Sequence, residues 1–329
     1  MLKYCIKRIL LSIVILLGVS IILYTLVRCM PVSYLESQVY SNPQIENPEQ
    51  RLLEMQKYYG LEPGFWNAIK GYFSWLVNLC HGDLGVSMVT GQAVEDVIFD
   101  NMGVSFGISL VALVLELLIA IPLGIKCACN QYGKLDYFAT VLTMIGISFP
   151  TFFLGSIVIK IFAVDLGWFE AGGLNSNLPT TAGSFTRFMD MLWHMVLPMF
   201  VLVILSIGSW LRYTRTNTLE VLNADYIRTA RAKGLSENSV IYKHVFRNTL
   251  IPLVTLLAGT LPSLFCGAMI TEQVFNLPGI GNKAYDLTQK GDIPFIMGYN
   301  MFIAMLTVIG ILITDIMYAV VDPRVKLGD

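Results

Sequence analysis

Charge is what this chain has least of. Asp, Glu, Lys and Arg make up 14% of its 329 residues, where a soluble domain carries about a quarter. A deficit spread over so long a chain excludes a soluble fold with one anchor and points to an integral membrane protein. The net charge of −1 leaves no basic field for nucleic acid, so no nucleic-acid partner is expected. Histidine is nearly absent, with His81, His194 and His244 the only three. No H-E-x-x-H pair exists, and Cys127-x-Cys129 lacks the spacing of a zinc clamp, so no protein metal site is expected. There is no G-x-x-x-x-G-K-[ST] phosphate loop; Gly133-Lys134 lacks the preceding glycine and the hydroxyl residue. No Ser or Cys stands in a nucleophile context such as G-x-S-x-G. The chain reads as no enzyme, with no cofactor of its own.

What it has in excess is apolar sequence, 55% of residues. Runs long enough to cross a bilayer, about 20 residues, occur at 9–27, 102–125, 137–164, 191–211, 250–270 and 296–321. They are continuous rather than alternating, which predicts helices and not a closed barrel. The first run has a basic start (Lys3, Lys7, Arg8) and an apolar stretch longer than the roughly 7–15 residues of a signal peptide. With "LVRCMPVS" after it and no small-x-small site, it reads as a retained anchor. Placing the N-terminus inside puts fourteen of the 22 lysines and arginines on the inner segments, including Lys126, Lys134, Arg212, Arg215, Arg324 and Lys326. The positive-inside rule then makes both termini cytoplasmic. The expected fold is an all-α integral membrane protein of six transmembrane helices. A large extracytoplasmic region spans 28–101 and a cytoplasmic loop spans 212–249.

Within 28–101, "YSNPQIENPEQ" reads as loop. "FWNAIKGYFSWLVNLC" reads as a helix, with Phe65, Ile69, Tyr72, Phe73, Leu76 and Leu79 at helical spacing. It either packs on the protein or lies at the membrane surface. Cys29 and Cys80 fall on the same side, and their pairing is left open. The segment "VFNLPGIGNKAYDLTQKGDIPF" cannot be one straight helix. Two carboxylates stand inside apolar runs: Glu116 in the second and Asp315 in the sixth. Each is either a bundle-facing, hydrogen-bonded group or a pathway residue.

The loop 212–249 carries seven basic residues, Arg212, Arg215, Arg228, Arg231, Lys233, Lys243 and Arg247. A positive-inside loop accounts for the charge but not for the pattern. "TLEVLNADYIRTARAKG" has helical spacing, with Leu219, Leu222, Tyr226 and Ala230 on one stripe. Gly234 fits a left-handed helix C-cap. Ser236 fits an N-cap for the next helix, with Glu237 in its first turn. Pro252 stands where the fifth span begins. The reading is a short helix, a sharp turn and a second helix that feeds the membrane.

These residues resemble the cytoplasmic "EAA" loop of permease subunits of binding-protein-dependent ABC importers, and more narrowly the dipeptide/oligopeptide/nickel branch. The matching positions are Asp225, Tyr226, Arg228, Thr229, Ala230, Arg231, Ala232, Lys233, Gly234 and Leu235, then His244, Arg247, Asn248, Leu250 and Pro252. "YYGLEPG", "GDLGVS", "IPLGI", "FPTFFLG", "DLGWFEAGG", "HMVLPMF", "FNLPGIGNKAYD" and "DIMYAVVDPR" resemble the same branch in order along nearly the whole chain. Departures are "MPVSYLE" in place of a Pro-Gly-Asp-like turn, Gly291 in place of arginine and Gly310 in place of asparagine.

The resemblance implies a type I importer permease fold in a bacterial or archaeal cytoplasmic membrane. It implies a coupling helix around 224–234, with Asp225, Tyr226, Arg228, Ala230, Arg231, Ala232, Lys233, Gly234 and Pro252 coupling to an ATPase. It also implies partners: a second permease subunit, two ATPase subunits that bind ATP and Mg, and an extracytoplasmic solute-binding protein. Peptides are the expected cargo, with nickel or another small solute the alternative. An ion-coupled secondary carrier is the rival reading from outside the family.

Overall fold

The computed structural model describes residues 2–29, 33–40, 47–58, 60, 62–176, 178–179 and 183–321. Arg324 and Lys326, and Met30 to Val32 of the "MPVSYLE" turn, lie outside the described residues. Among the described residues the regular structure is all helical, apart from one isolated antiparallel bridge between Val86 and Ala93.

Helix α1 (Leu2–Cys29) is followed by three helices at one end of the bundle: α2 (Ser33–Tyr40), α3 (Pro48–Tyr58) and α4 (Phe65–Cys80). The segment read as loop already contains the start of α3. Pro48 occupies the first helical position, where its missing N–H costs nothing and its φ is already helical. Asn47 supplies the carbonyl that accepts the Arg51 N–H at 3.1 Å. Helix α4 also departs from its expected stripe. Tyr72 and Trp75 pack on Tyr24 of α1, and the Tyr72 hydroxyl lies 2.9 Å from Ser20 Oγ. Phe65, Trp66 and Phe73 face outward instead. A hundred degrees per residue carries Phe73 off the face that Tyr72 and Trp75 share.

The central pair is α5 (Val94–Cys129) and α8 (Ser184–Leu222), packed side by side. At 1.5 Å per residue these 36- and 39-residue helices are about 54 and 58 Å long. Both overrun a hydrocarbon core of about 30 Å. Between them in sequence lie α6 (Lys134–Ser148) and α7 (Thr151–Val158), which continues as a π-helical turn to Asp165. The run 137–164 is thus divided, with a bend of 101°. Pro150 explains the break, because its ring disfavours the helical conformation of Phe149, which is extended at ψ 129°.

After α8 come α9 (Asp225–Ala232), α10 (Glu237–Ser239), a π-helical segment Val240–Val245 and α11 (Phe246–Cys266). The chain then forms α12 (Met269–Val274), α13 (Ile280–Gln289) and α14 (Ile293–Val321). Among the described residues four helices are long and apolar enough to cross a membrane, and up to six spans result if each of two bent pairs is one. Helices α5, α6 and α8 approach closely through small residues. Gly124 lies against Thr214, Gly146 against the Ile204 carbonyl and Gly208 against Thr143, the packing that brings helices together where lipid supplies no hydrophobic drive.

Candidate functional site

Chain topology gathers three features: a basic helical hairpin at one end of the bundle, a polar cleft within it and a knitted cap at the other end.

Helix α8 carries the chain past the expected limit of the fourth span to Leu222, where the Asn223 N–H closes on the Leu219 carbonyl. Ala224 then starts α9. Ile227 and Ala230 bury themselves against Val240, Val245, Val221 and Leu222. This small core makes α9, α10 and the entry to α11 one packed unit. The helix break resets the register, so the predicted stripe does not run through. Ala230 is buried, but Tyr226 is 49% exposed and Ile227 takes its place. Asp225 sits in the first turn, where a carboxylate favours the helix dipole, and meets Arg228 at 3.6 Å. Ala232 ends α9, Lys233 succeeds it, and Gly234 is left-handed at φ 77° with its N–H on the Arg231 carbonyl. Ser236 stands at the predicted N-cap, yet its side chain makes no cap bond.

Arg231 reaches across this turn to Glu237 through two bonds, at 2.5 and 3.2 Å. The guanidinium holds the Glu237 carboxyl below the usual carboxylate range. The C-terminal end of α5 lies beside this pair, close enough for Cys129 to sense both charges. Pro252 lies inside α11, about one and two-thirds turns past its start. It removes a helical hydrogen bond at the junction between hairpin and span.

A brace missed at the sequence level anchors this end. Asp136, buried at the start of α6, forms a bidentate pair with Arg215 of α8 at 2.6 and 2.7 Å. It also accepts the Tyr132 N–H at 3.0 Å. The Arg215 guanidinium holds the Asp136 carboxyl below its ordinary value. No local spacing marks two residues 79 apart as partners.

Between α5, α8 and α11 lies a cavity of about 400 Å³. Glu116 projects into it, 6% exposed, beside Ser206 and Trp210 of α8, which line the same cavity. Ser109, Ser209, Thr260 and Ser263 supply further hydroxyls, and the break at Gly267–Ala268 closes one end. The other intramembrane carboxylate has a different setting. Asp315 of α14 meets Arg8 of α1 at 3.1 Å, as an ion pair rather than an aligned hydrogen bond.

The cap at the far end is organised by two fully buried carboxylates that the sequence reading did not single out. Glu272 of α12 accepts the N–H groups of Ala268 and Asn282 at 3.1 and 3.0 Å. A Cβ on Gly279 would collide with that carboxylate. Asp292 caps α14 through the Phe295 N–H. It also accepts the Ser87 hydroxyl and the N–H groups of Met88 and Val89. The segment "HGDLGVSM" is thereby tied to a residue about 200 positions later. Asp before Ile293-Pro294 was a legible N-cap signal, but its second set of partners was not. Cys29 and Cys80, at this same end, are both free and exposed.

Residues 120–327 match the family described as "Binding-protein-dependent transport system inner membrane component". Similar proteins include the oligopeptide transport system permease protein AppB of Bacillus subtilis, 38% identical over 99% of this chain and the whole of that protein. The dipeptide transport system permease protein DppB of Alkalihalophilus pseudofirmus is 30% identical over 99% of this chain and all of the relative. DppB of Bacillus subtilis is 31% identical over 99% of each.

Proposed function

Because the chain belongs to the family of binding-protein-dependent transport system inner membrane components, we propose that it is the translocation subunit of an ATP-driven importer of di- or oligopeptides. The relatives' transport of oligopeptides and dipeptides, as their names state it, supports the cargo. The chain forms the membrane pathway with a second permease subunit. Both termini and the basic hairpin face the cytoplasm, and the cap faces an extracytoplasmic solute-binding protein. ATP and Mg bind to two partner ATPase subunits.

The observation that carries the coupling role is the packed unit around Ile227 and Ala230. A short helix buried on one face and open on the other, through Tyr226, Arg228, Thr229 and Lys233, fits a partner's groove. Because its core includes Val240 and Val245, displacement of α9 moves the π-helical entry to α11 with it. Pro252 then lies where α11 can bend. At the far end, a polar recess lined by Asn101, Gln273, Asn276, Asn282, Lys283 and Asp286 offers the binding protein both hydrogen bonds and charge.

The test is reconstitution with the co-purifying ATPase, permease and binding protein, beside the Gly234→Val form. A β-branched residue at φ 77° is strained, so the variant complex assembles but its peptide uptake falls at least about tenfold per ATP hydrolysed. Uptake at the normal ratio would refute the coupling role of this turn. Failure to recover any ATPase would refute the importer reading.

A further inference from the structure

We infer that the cleft at Glu116 is a transit site that holds the α-ammonium group of the passing peptide; the inference rests on the importer reading. The two intramembrane carboxylates support it by their contrast. Asp315 has a counter-ion within the chain, Arg8 at 3.1 Å. Glu116 has none: among the described residues no Lys, Arg or His lines its cavity, where its polar neighbours are the neutral Ser206 hydroxyl and Trp210 indole. A carboxylate buried at membrane depth is costly unless it is paired or takes a proton, and such groups are kept for function. A site built this way suits one cation from outside the chain.

The rest of the lining says what kind of cation. Ser109 and Ser209 line the cleft with hydroxyls that both donate and accept, and Thr260 and Ser263, whose hydroxyls donate to the Leu257 and Thr260 carbonyls, add acceptors. Ser109 lies two helical turns, about 10 Å, from Glu116 along α5, and Ser263 stands on α11, toward the cap. A bare inorganic cation would want several oxygens converging at one point. Here the oxygens are spread along a cleft of about 400 Å³, within the range of small-molecule sites. Spread hydroxyls suit the amide groups of an extended backbone, and the carboxylate suits its amino terminus. Such a site reads only what all peptides share and ignores their side chains. The larger groove between α5 and α8, lined by Gly103, Gly107, Met195 and Ile204 among others, is almost wholly apolar and has no such chemistry.

Trp210 gives a direct reporter, because its indole lines the same cavity as Glu116. The experiment uses the assembled complex in nanodiscs, without the binding protein, with Trp66, Trp75, Trp168 and Trp193 of this chain replaced by Phe. Trialanine, which has no ammonium group but its own N-terminus, is titrated against Trp210 emission and compared with N-acetyl-trialanine at the same salt. The expected result is a saturable change with trialanine, at least about tenfold weaker with the acetylated peptide and with Glu116→Gln, and restored by Glu116→Asp. Equal responses to the two peptides in the parent complex overturn the inference without any variant at Glu116. So does an unchanged response in Glu116→Gln. A parallel uptake assay with the binding protein separates the two failures. If the parent proteoliposomes take up no trialanine on ATP, the importer reading itself is wrong. If they do, and trialanine leaves Trp210 unmoved, only the role of Glu116 falls.

Discussion

Among single residues, the three buried carboxylates outside the Glu116 cleft among the described residues are satisfied in two ways. Glu272 and Asp292 are held by backbone N–H groups and hydroxyls, Asp136 by a guanidinium. Removing one partner of a buried ion pair strands the other. Asp136→Asn should therefore cost about 3 kcal/mol, seen as a lower Tm of the purified protein in detergent. The sign of the pH effect is set by the carboxyl being held below its ordinary value. The contribution of the pair is fully present above about pH 4, the ordinary carboxylate pKa, and is lost only as pH falls through the lower folded value. The acid limb of the Tm–pH curve should accordingly be shallower in Asp136→Asn than in the parent. An unchanged limb would show that the pair does not govern acid stability. At the cap, Gly279→Ala should displace the Glu272 carboxylate from the Asn282 N–H. We expect lower yield of folded protein, with a loss of amide-exchange protection confined to α12 and α13.

Helix α9 shows why element-level patterns mislead at a break. The stripe through Leu219, Leu222, Tyr226 and Ala230 assumes one continuous helix. The Asn223–Ala224 interruption rotates α9 relative to α8, so Ile227 rather than Tyr226 faces the small core. The glycine at 234 was legible because a left-handed cap admits few other residues. Arg231 was legible as basic but not as the brace to Glu237. That brace makes a prediction at the scale of the hairpin. Arg231→Glu should reduce ATP-driven uptake, and the double exchange Arg231→Glu with Glu237→Arg should restore it, since the turn is again tied. If the double exchange transports no better than the single one, Arg231 acts by direct contact with a partner and not by bracing. Helix α4 illustrates the same limit. Its aromatic residues are dense enough to appear on both sides, and only the position of Tyr24 selects Tyr72 and Trp75 for the inner one.

For the whole molecule, the two ends differ in kind. One end is basic and built around the hairpin and the Asp136–Arg215 brace; the other is a cap of loops stitched by Asp292 and Glu272. Cys29 and Cys80 are exposed at the cap end and Cys129 at the basic end, while Cys127 is buried. The proposed topology therefore predicts a thiol-labelling pattern in single-cysteine variants. An impermeant maleimide added from outside to cells with a sealed cytoplasmic membrane should label Cys29 and Cys80 but not Cys129. Labelling of Cys129 from outside would invert the assignment of the ends.

Apolar run length, the bias of Lys and Arg and the glycine-broken basic segment were enough to determine a multi-span helical protein with a basic helical hairpin at one end. These signals are local, or are sums over the chain, and so survive without coordinates. The tertiary structure alone decided which charges meet: Arg8 with Asp315, Asp136 with Arg215, Asp292 with Ser87. It also decided that Glu116 meets no cation within this chain's cleft among the described residues. Pairing across such separations depends on how helices of fixed period are rotated and bent against one another. Pro150 divides the third run, and the break at Gly267–Ala268 ends the cleft. Composition is blind to rotation, and rotation is what turns a carboxylate in an apolar run into either a clasp or a site.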